Sequence, residues 1–213
     1  MSRSDAKRGP YLIGLTGNIA TGKSTVAGML ADLGALIIDA DQVVHTVMRP
    51  GTPAHAEIVR VFGEQSLADD GAIDRRRLGR RVFQDPAALE RLEEIVHPAT
   101  LRKIDRLIDA SSQDVVVIEA IKLFESGLAD RCHTVWVTTC RPDQQIDRIV
   151  EARDLSRDEA RQRVQAQRPQ AERAALADVV IDNSGTLSAT WEQVVAAWRR
   201  VVHRDRGTTK PAV

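Results

Sequence analysis

The chain has 213 residues, 43% of them apolar and 28% charged, which suits one α/β domain with a proper core, with or without a helical insertion. Its 30 basic and 30 acidic residues cancel, so no overall field favours nucleic acid or a membrane surface, and 3% aromatic content argues against a base-stacking platform. Cys132 and Cys140 fit neither a metal-ligand spacing nor a disulfide framework, and no run of about 18 apolar residues offers a membrane span.

Residues 1–10 are polar and charged, with nothing to serve as a signal peptide, so a cytoplasmic location is expected. Tails are expected over 1–9 and 204–213, around a single domain over 10–203. The near-continuous apolar run over 11–16 predicts a strand covered on both faces. It leads into Gly17-Asn18-Ile19-Ala20-Thr21-Gly22-Lys23-Ser24, the spacing of a phosphate loop. Each residue type there has a physical task. The glycines let the backbone turn tightly and approach an anion without a Cβ in the way. The loop N–H groups and the N-terminus of the helix that follows point positive charge inward. Lys23 adds a compact cation for the β and γ phosphates, and the Ser24 hydroxyl is a hard oxygen ligand for Mg2+. Val26, Met29, Leu30 and Leu33 give that helix its apolar stripe, and Gly34 suits a left-handed stop.

A second strand is expected over 36–39. Asp39-Ala40-Asp41 at its end allows two readings: carboxylates facing a γ-phosphate, or a helix N-cap that Asp41 itself supplies. Residues 42–111 hold helical patterns and no convincing strand, so they read as an insertion that binds the acceptor above the strands' C-terminal edge. Asp85-Pro86 opens one of these helices, and Pro98 is expected to stop or kink another. Arg75, Arg76, Arg77, Arg80 and Arg81 form the densest basic cluster, which serves as a solvated face, an anionic-substrate site or a nucleic-acid patch. His97 read locally is a helix-end residue.

Further strands are expected over 115–118, 134–138 and 179–181, with Trp136 in the core. Glu119 and Glu125 flank the end of the third, as supporting carboxylates or as caps. A helical stretch over 148–175 carries Arg148, Arg153, Arg157, Arg161, Arg163, Arg168 and Arg173, and its Ser156-Arg157-Asp158-Glu159 has capping-box spacing. In a phosphotransferase, arginines so placed can close over a triphosphate. The whole pattern predicts a five-stranded parallel sheet with helices on both faces, a helical insertion and a helical lid.

The ordered motifs resemble the dephospho-coenzyme A kinase family. The likeness runs from about Tyr11 to Trp198. It is carried by Ile13-Gly14-Leu15-Thr16-Gly17-Asn18-Ile19 before Gly22-Lys23-Ser24-Thr25, then Leu33-Gly34, Ile38-Asp39-Ala40-Asp41 and His97-Pro98. Gln145 with Arg148 follows, then Gln167, Arg173, Ala177-Asp178 and Ile181-Asp182-Asn183-Ser184-Gly185. Two stretches depart from the family's pattern. Ile121-Lys122-Leu123-Phe124-Glu125 stands where Pro-Leu-Leu-x-Glu is usual, and the segment around Arg153 is shifted by about one residue.

The resemblance implies a P-loop kinase with ATP and Mg2+, phosphorylating the ribose 3′-hydroxyl of dephospho-coenzyme A. On that mapping Asp41, Lys23 and Arg148 are catalytic. Gly17 to Thr25 and Asn183 hold the nucleotide, with Ser24 on the metal. Asp41, Arg75, Arg76, Arg81, His97 and Glu125 face the acceptor. Rival readings are a kinase for another small metabolite such as a nucleotide or sugar, a nucleotide-dependent switch, and a nucleic-acid regulator. The expected partner is a small molecule rather than nucleic acid or a membrane.

Overall fold

The computed structural model describes residues 9–153 and 155–205. The tails expected at the two ends lie outside these residues, apart from Gly9 and the last residues of the final helix. Asp154, in the expected lid, also lies outside them. The described residues fall into two compact units, one being Ile38–Ser111 and the other the rest of the chain.

The larger unit is built on the parallel sheet. Its strands are β1 (Tyr11–Gly17), β2 (Leu36–Asp39), β3 (Val115–Glu119), β4 (Thr134–Thr139) and β5 (Val179–Asp182), in the order β2-β3-β1-β4-β5. β2 leads from this unit into the other. β1 lies between β3 and β4 in parallel register, with Leu15 opposite Glu119 on one side and Trp136 on the other. One face of the sheet presents Ile13, Leu15, Val115, Val117, Trp136 and Ile181 to helix α1 (Lys23–Asp32) and helix α9 (Leu187–Asp205), which contribute Val26, Leu30, Val194 and Val201 to the same core. Val116, Ile118, Val135 and Val137 alternate with these and are buried as well. Burial of each such side chain stabilises the fold by roughly 1.5–3 kcal/mol. That two-sided burial is why the strands read as unbroken apolar runs rather than alternating ones.

Helix ends follow their local signals. α1 stops in a Schellman motif: Gly34 takes φ 100°, its N–H donates to Ala31 O, and Ala35 N–H donates to Leu30 O. After β4 come α6 (Pro142–Arg153), α7 (Arg157–Gln165) and α8 (Gln170–Ala175), with the expected capping box between Ser156 and Glu159 at the start of α7.

The Ile38–Ser111 unit is helical, as expected for the insertion. It comprises α2 (Ala40–Val47), α3 (Pro53–Phe62), α4 (Arg75–Gln84) and α5 (Pro86–Asp109), and α5 packs against the other three. An isolated antiparallel bridge joins Leu67 to Ile73. Asp85 caps α5 as expected, accepting from Ala87 and Ala88 N–H. Pro98 does not end a helix, however: α5 runs unbroken for 24 residues through it. Proline forfeits one intrahelical bond, and the buried side chains of Val96, Thr100 and Ile104 on either side hold the helix together.

Candidate active site

The loop after β1 is held open by its own backbone and by neighbours behind it. Ala20 adopts a left-handed conformation with φ 59°, the only described non-glycine residue at positive φ, and Gly22 caps α1 with φ 87°. Strain of this kind costs of order 1–3 kcal/mol and persists only where surrounding contacts impose it. Those contacts are identifiable. Asn183 Nδ2 donates to Thr21 O at 3.1 Å, and Thr190 donates to Asn183 Oδ1 at 2.7 Å. Arg148 donates to Ala20 O at 3.3 Å and to Asn183 O at 2.8 Å. Thr21 and Thr138 hydroxyls meet at 2.7 Å. Gln145 Nε2 donates to Ile19 O at 2.6 Å, and Ile19 N–H donates to Gln167 Oε1 at 2.9 Å. No side chain caps the start of α1, so its first N–H groups are available to an anion.

Lys23, at the first turn of α1, forms an ion pair with Glu119 at the end of β3. Both side chains are largely buried, at 15% and 10% exposure. A buried ammonium beside a phosphate cradle requires a counter-charge, and Glu119 supplies it. Ser24 and Thr25 follow on the exposed side of α1. Glu125 pairs with Arg173 at 2.9 Å, and the same guanidinium donates to Ile121 O at 2.7 Å.

Of the expected site residues, the sheet-bearing unit therefore assembles Gly17 to Thr25, Arg148 and Asn183 around one loop. Glu119 joins them as the partner of Lys23. Arg148 and Asn183 meet the loop through its backbone carbonyls. The range 148–175, expected as a lid, covers the second half of α6, then α7 and α8. Arg153 is exposed at the end of α6, and Arg157 and Arg161 pair with Asp147 and Asp158 at 2.5 and 2.8 Å.

Glu125 also lies in the sheet-bearing unit, and the helical unit holds Asp41, Arg75, Arg76, Arg81 and His97. Asp41 is half-buried in the first turn of α2, but the N-cap is Asp39, which accepts from Gln42 N–H at 2.9 Å. The capping task read for Asp41 thus belongs to its neighbour. α4 sorts its arginines. Arg81 donates to Phe62 O at 2.8 Å and lies over the Phe62 ring at 5.4 Å. Arg77 donates to the carbonyls of Gln65 and Leu67, each at 3.1 Å. Arg75 and Arg76 extend from the exposed side, as does the Phe83 ring at 84% exposure. His97 is exposed on α5 beside Pro98.

Sequence reasoning gave no task to Gln145 or Gln167, counted Arg173 only among the lid arginines, placed Thr138 only in a strand, and did not raise Gln170. A buried glutamine carries no periodic signature to set it apart from a surface one. Gln145, at 0% exposure, is identified only by its partners.

Comparisons with known proteins show which family the chain belongs to. A sequence profile described as dephospho-CoA kinase matches residues 11–189. A dephospho-CoA kinase of Geobacter metallireducens is 46% identical over 197 residues, covering 91% of this chain and 98% of its own. A crystal structure from Thermus thermophilus superposes with a TM-score of 0.81 at 32% identity, covering 92% of this chain and 99% of the other. Dephospho-CoA kinase from Campylobacter jejuni superposes at 0.66 with 26% identity, covering 91% and 98%. Profile, sequence and structure agree over nearly the full length, and the chain belongs to the dephospho-CoA kinase family.

Proposed function

We propose that this chain transfers the terminal phosphoryl group of ATP to the ribose 3′-hydroxyl of dephospho-CoA, giving CoA and ADP. The observation that carries the reading is the phosphate loop itself, with left-handed Ala20 and Gly22, an uncapped α1 and Lys23, in a chain of this family. The donor set fits Mg2+: the exposed Ser24 hydroxyl stands at the uncapped start of α1, with the Glu119 carboxylate beside Lys23. The ion, when bound, would neutralise phosphate charge. Lys23 and Arg148 bring two further cations against the loop, to offset charge that spreads over the transferring group. Asp41 is assigned to orient the acceptor hydroxyl. Arg75, Arg76, His97 and Glu125 are assigned to the acceptor, with Arg75 and Arg76 as phosphate partners, while Arg81 is assigned to holding α4 against Phe62. The helical stretch over 148–175 is assigned as the lid that keeps water from competing as acceptor. A cytoplasmic location accords with this chemistry, and no described helix is long and apolar enough to cross a membrane.

The test is ADP release from ATP and Mg2+ with and without dephospho-CoA, with the product weighed by mass spectrometry. Strong stimulation and one added phosphate support the reading. ATP binding without stimulation would leave a P-loop kinase for another small acceptor, such as a nucleotide or sugar.

A further inference from the structure

Three residues of the stretch leading through α8, Gln167, Gln170 and Arg173, recur at a spacing of three. Each reaches a different part of the sheet-bearing unit. Gln167 Oε1 accepts the Ile19 N–H at 2.9 Å, and the neighbouring Arg168 carbonyl accepts Asn18 Nδ2 at 2.8 Å. Gln170 brackets the end of β4, accepting from Cys140 N–H at 3.0 Å and donating to Cys140 O at 3.1 Å. Its Nε2 also donates to Gln145 Oε1 at 3.0 Å, and Gln145 in turn donates to Ile19 O. Arg173, buried, donates to Ile121 O at 2.7 Å, to Thr16 Oγ1 at 3.4 Å and to Glu125 at 2.9 Å.

Two physical points follow. First, both hydrogen-bonding groups of Ile19 are taken by neutral carboxamides. The Ile19 carbonyl belongs to the peptide plane whose rotation sets φ of Ala20, so fixing that plane fixes the left-handed residue. A carboxylate in either position would repel the phosphates, whereas an amide holds the loop without adding charge. Second, Thr16 immediately precedes the phosphate loop, and Glu125 lies on the loop after β3. Arg173 therefore joins the strand that feeds the nucleotide site to the loop that carries an assigned acceptor contact.

We propose that Gln167, Gln170 and Arg173 act as one row of positioning residues: Gln167 sets the phosphate loop for the nucleotide, Gln170 supports the same loop through Gln145, and Arg173 sets Glu125 for the acceptor. The acceptor half rests on the reading that the chain phosphorylates dephospho-CoA.

The signature is a graded split in steady-state kinetics, measured with variants that keep side-chain volume. Gln167→Met should raise the KM for ATP about tenfold and leave that for dephospho-CoA within about twofold. Arg173→Met should do the reverse, and Gln170→Met should raise the KM for ATP alone, by a smaller factor than Gln167→Met. Thr16 still donates to Ile121 O at 3.3 Å without Arg173, which protects the fold of that variant. Arg173→Lys, which keeps the charge, should recover part of the acceptor KM. Three variants that only lower Tm, or that raise the same KM equally, would overturn the proposal. A parent chain that leaves dephospho-CoA unphosphorylated overturns the functional reading instead. Titration with a fluorescent ATP analogue then decides the row, through loss of affinity in Gln167→Met but not in Arg173→Met.

Discussion

The carboxamide of Asn183 occupies the space that a side chain on Gly22 would need: a Cβ there would lie 1.6 Å from Asn183 Nδ2. Gly22 is thus required twice over, by its φ of 87° and by that approach. Gly22→Ala should destabilise the chain by about 3 kcal/mol, from backbone strain and from loss of the buried Asn183 bond. Urea unfolding measures it, and ATP affinity should fall in parallel. Combining it with Asn183→Ala should cost less than the sum, because the second change removes the clash. Simple additivity would mean that Asn183 does not back the loop.

The Lys23–Glu119 pair lends itself to a double-mutant cycle. Either side chain left alone is a poorly hydrated charge, so Lys23→Met and Glu119→Gln should each destabilise by about 3 kcal/mol. The double variant should be more stable than the sum of the two predicts, by more than about 1 kcal/mol. A coupling near zero in thermal or urea unfolding would show that the pair contributes nothing in solution. In catalysis only Lys23→Met should abolish turnover.

The helical unit separates contact with substrate from support of the fold. Asp41→Asn should lower kcat by about a hundredfold or more while ATP affinity stays unchanged, since it removes an orienting carboxylate and nothing from the phosphate loop. Unchanged kcat would remove Asp41 from the mechanism. On α4, Arg76→Gln should raise the acceptor KM by about tenfold with little change in stability. Arg81→Gln should instead lose about 1–2 kcal/mol of stability, because its partners are Phe62 O and the Phe62 ring. The opposite outcome, KM from Arg81 and stability from Arg76, would exchange their roles.

Cys132 gives a pH-dependent signal remote from catalysis. Burial pushes its thiol from 9.0 up to about 11, with Arg131 opposing weakly. A pKa raised in the folded state means that the native chain holds a proton the unfolded chain gives up. The associated stability is whole below pH 9.0 and is lost as pH rises towards about 11. Cys132→Ala should flatten the fall of unfolding free energy over that window in a urea series. An identical slope in parent and variant would show the thiol to be ordinary.

Much of the fold was legible because its signals are local. The strands were marked by apolar runs, and the ends of α1, α5 and α7 by Gly34, Asp85-Pro86 and the Ser156–Glu159 box. The helix stop expected at Pro98 failed for the same reason. A local rule weighs one lost hydrogen bond, whereas α5 is held along its whole length by packing. At Asp39-Ala40-Asp41 two carboxylates competed for one cap, and only backbone geometry separates them.

The sequence by itself determined the phosphate loop, the strand before it, the helix after it and the family. A glycine pair, a lysine and a serine at fixed spacing leave few alternatives. The tertiary structure decided which residues hold that loop in shape. Glu119 lies 96 residues from Lys23, Arg173 157 residues from Thr16, and Asn183 162 from Thr21. Hydrogen bonds and ion pairs act over about 3 Å in space and carry no record in sequence spacing. A buried glutamine or arginine therefore shows its task only once the chain has folded around it.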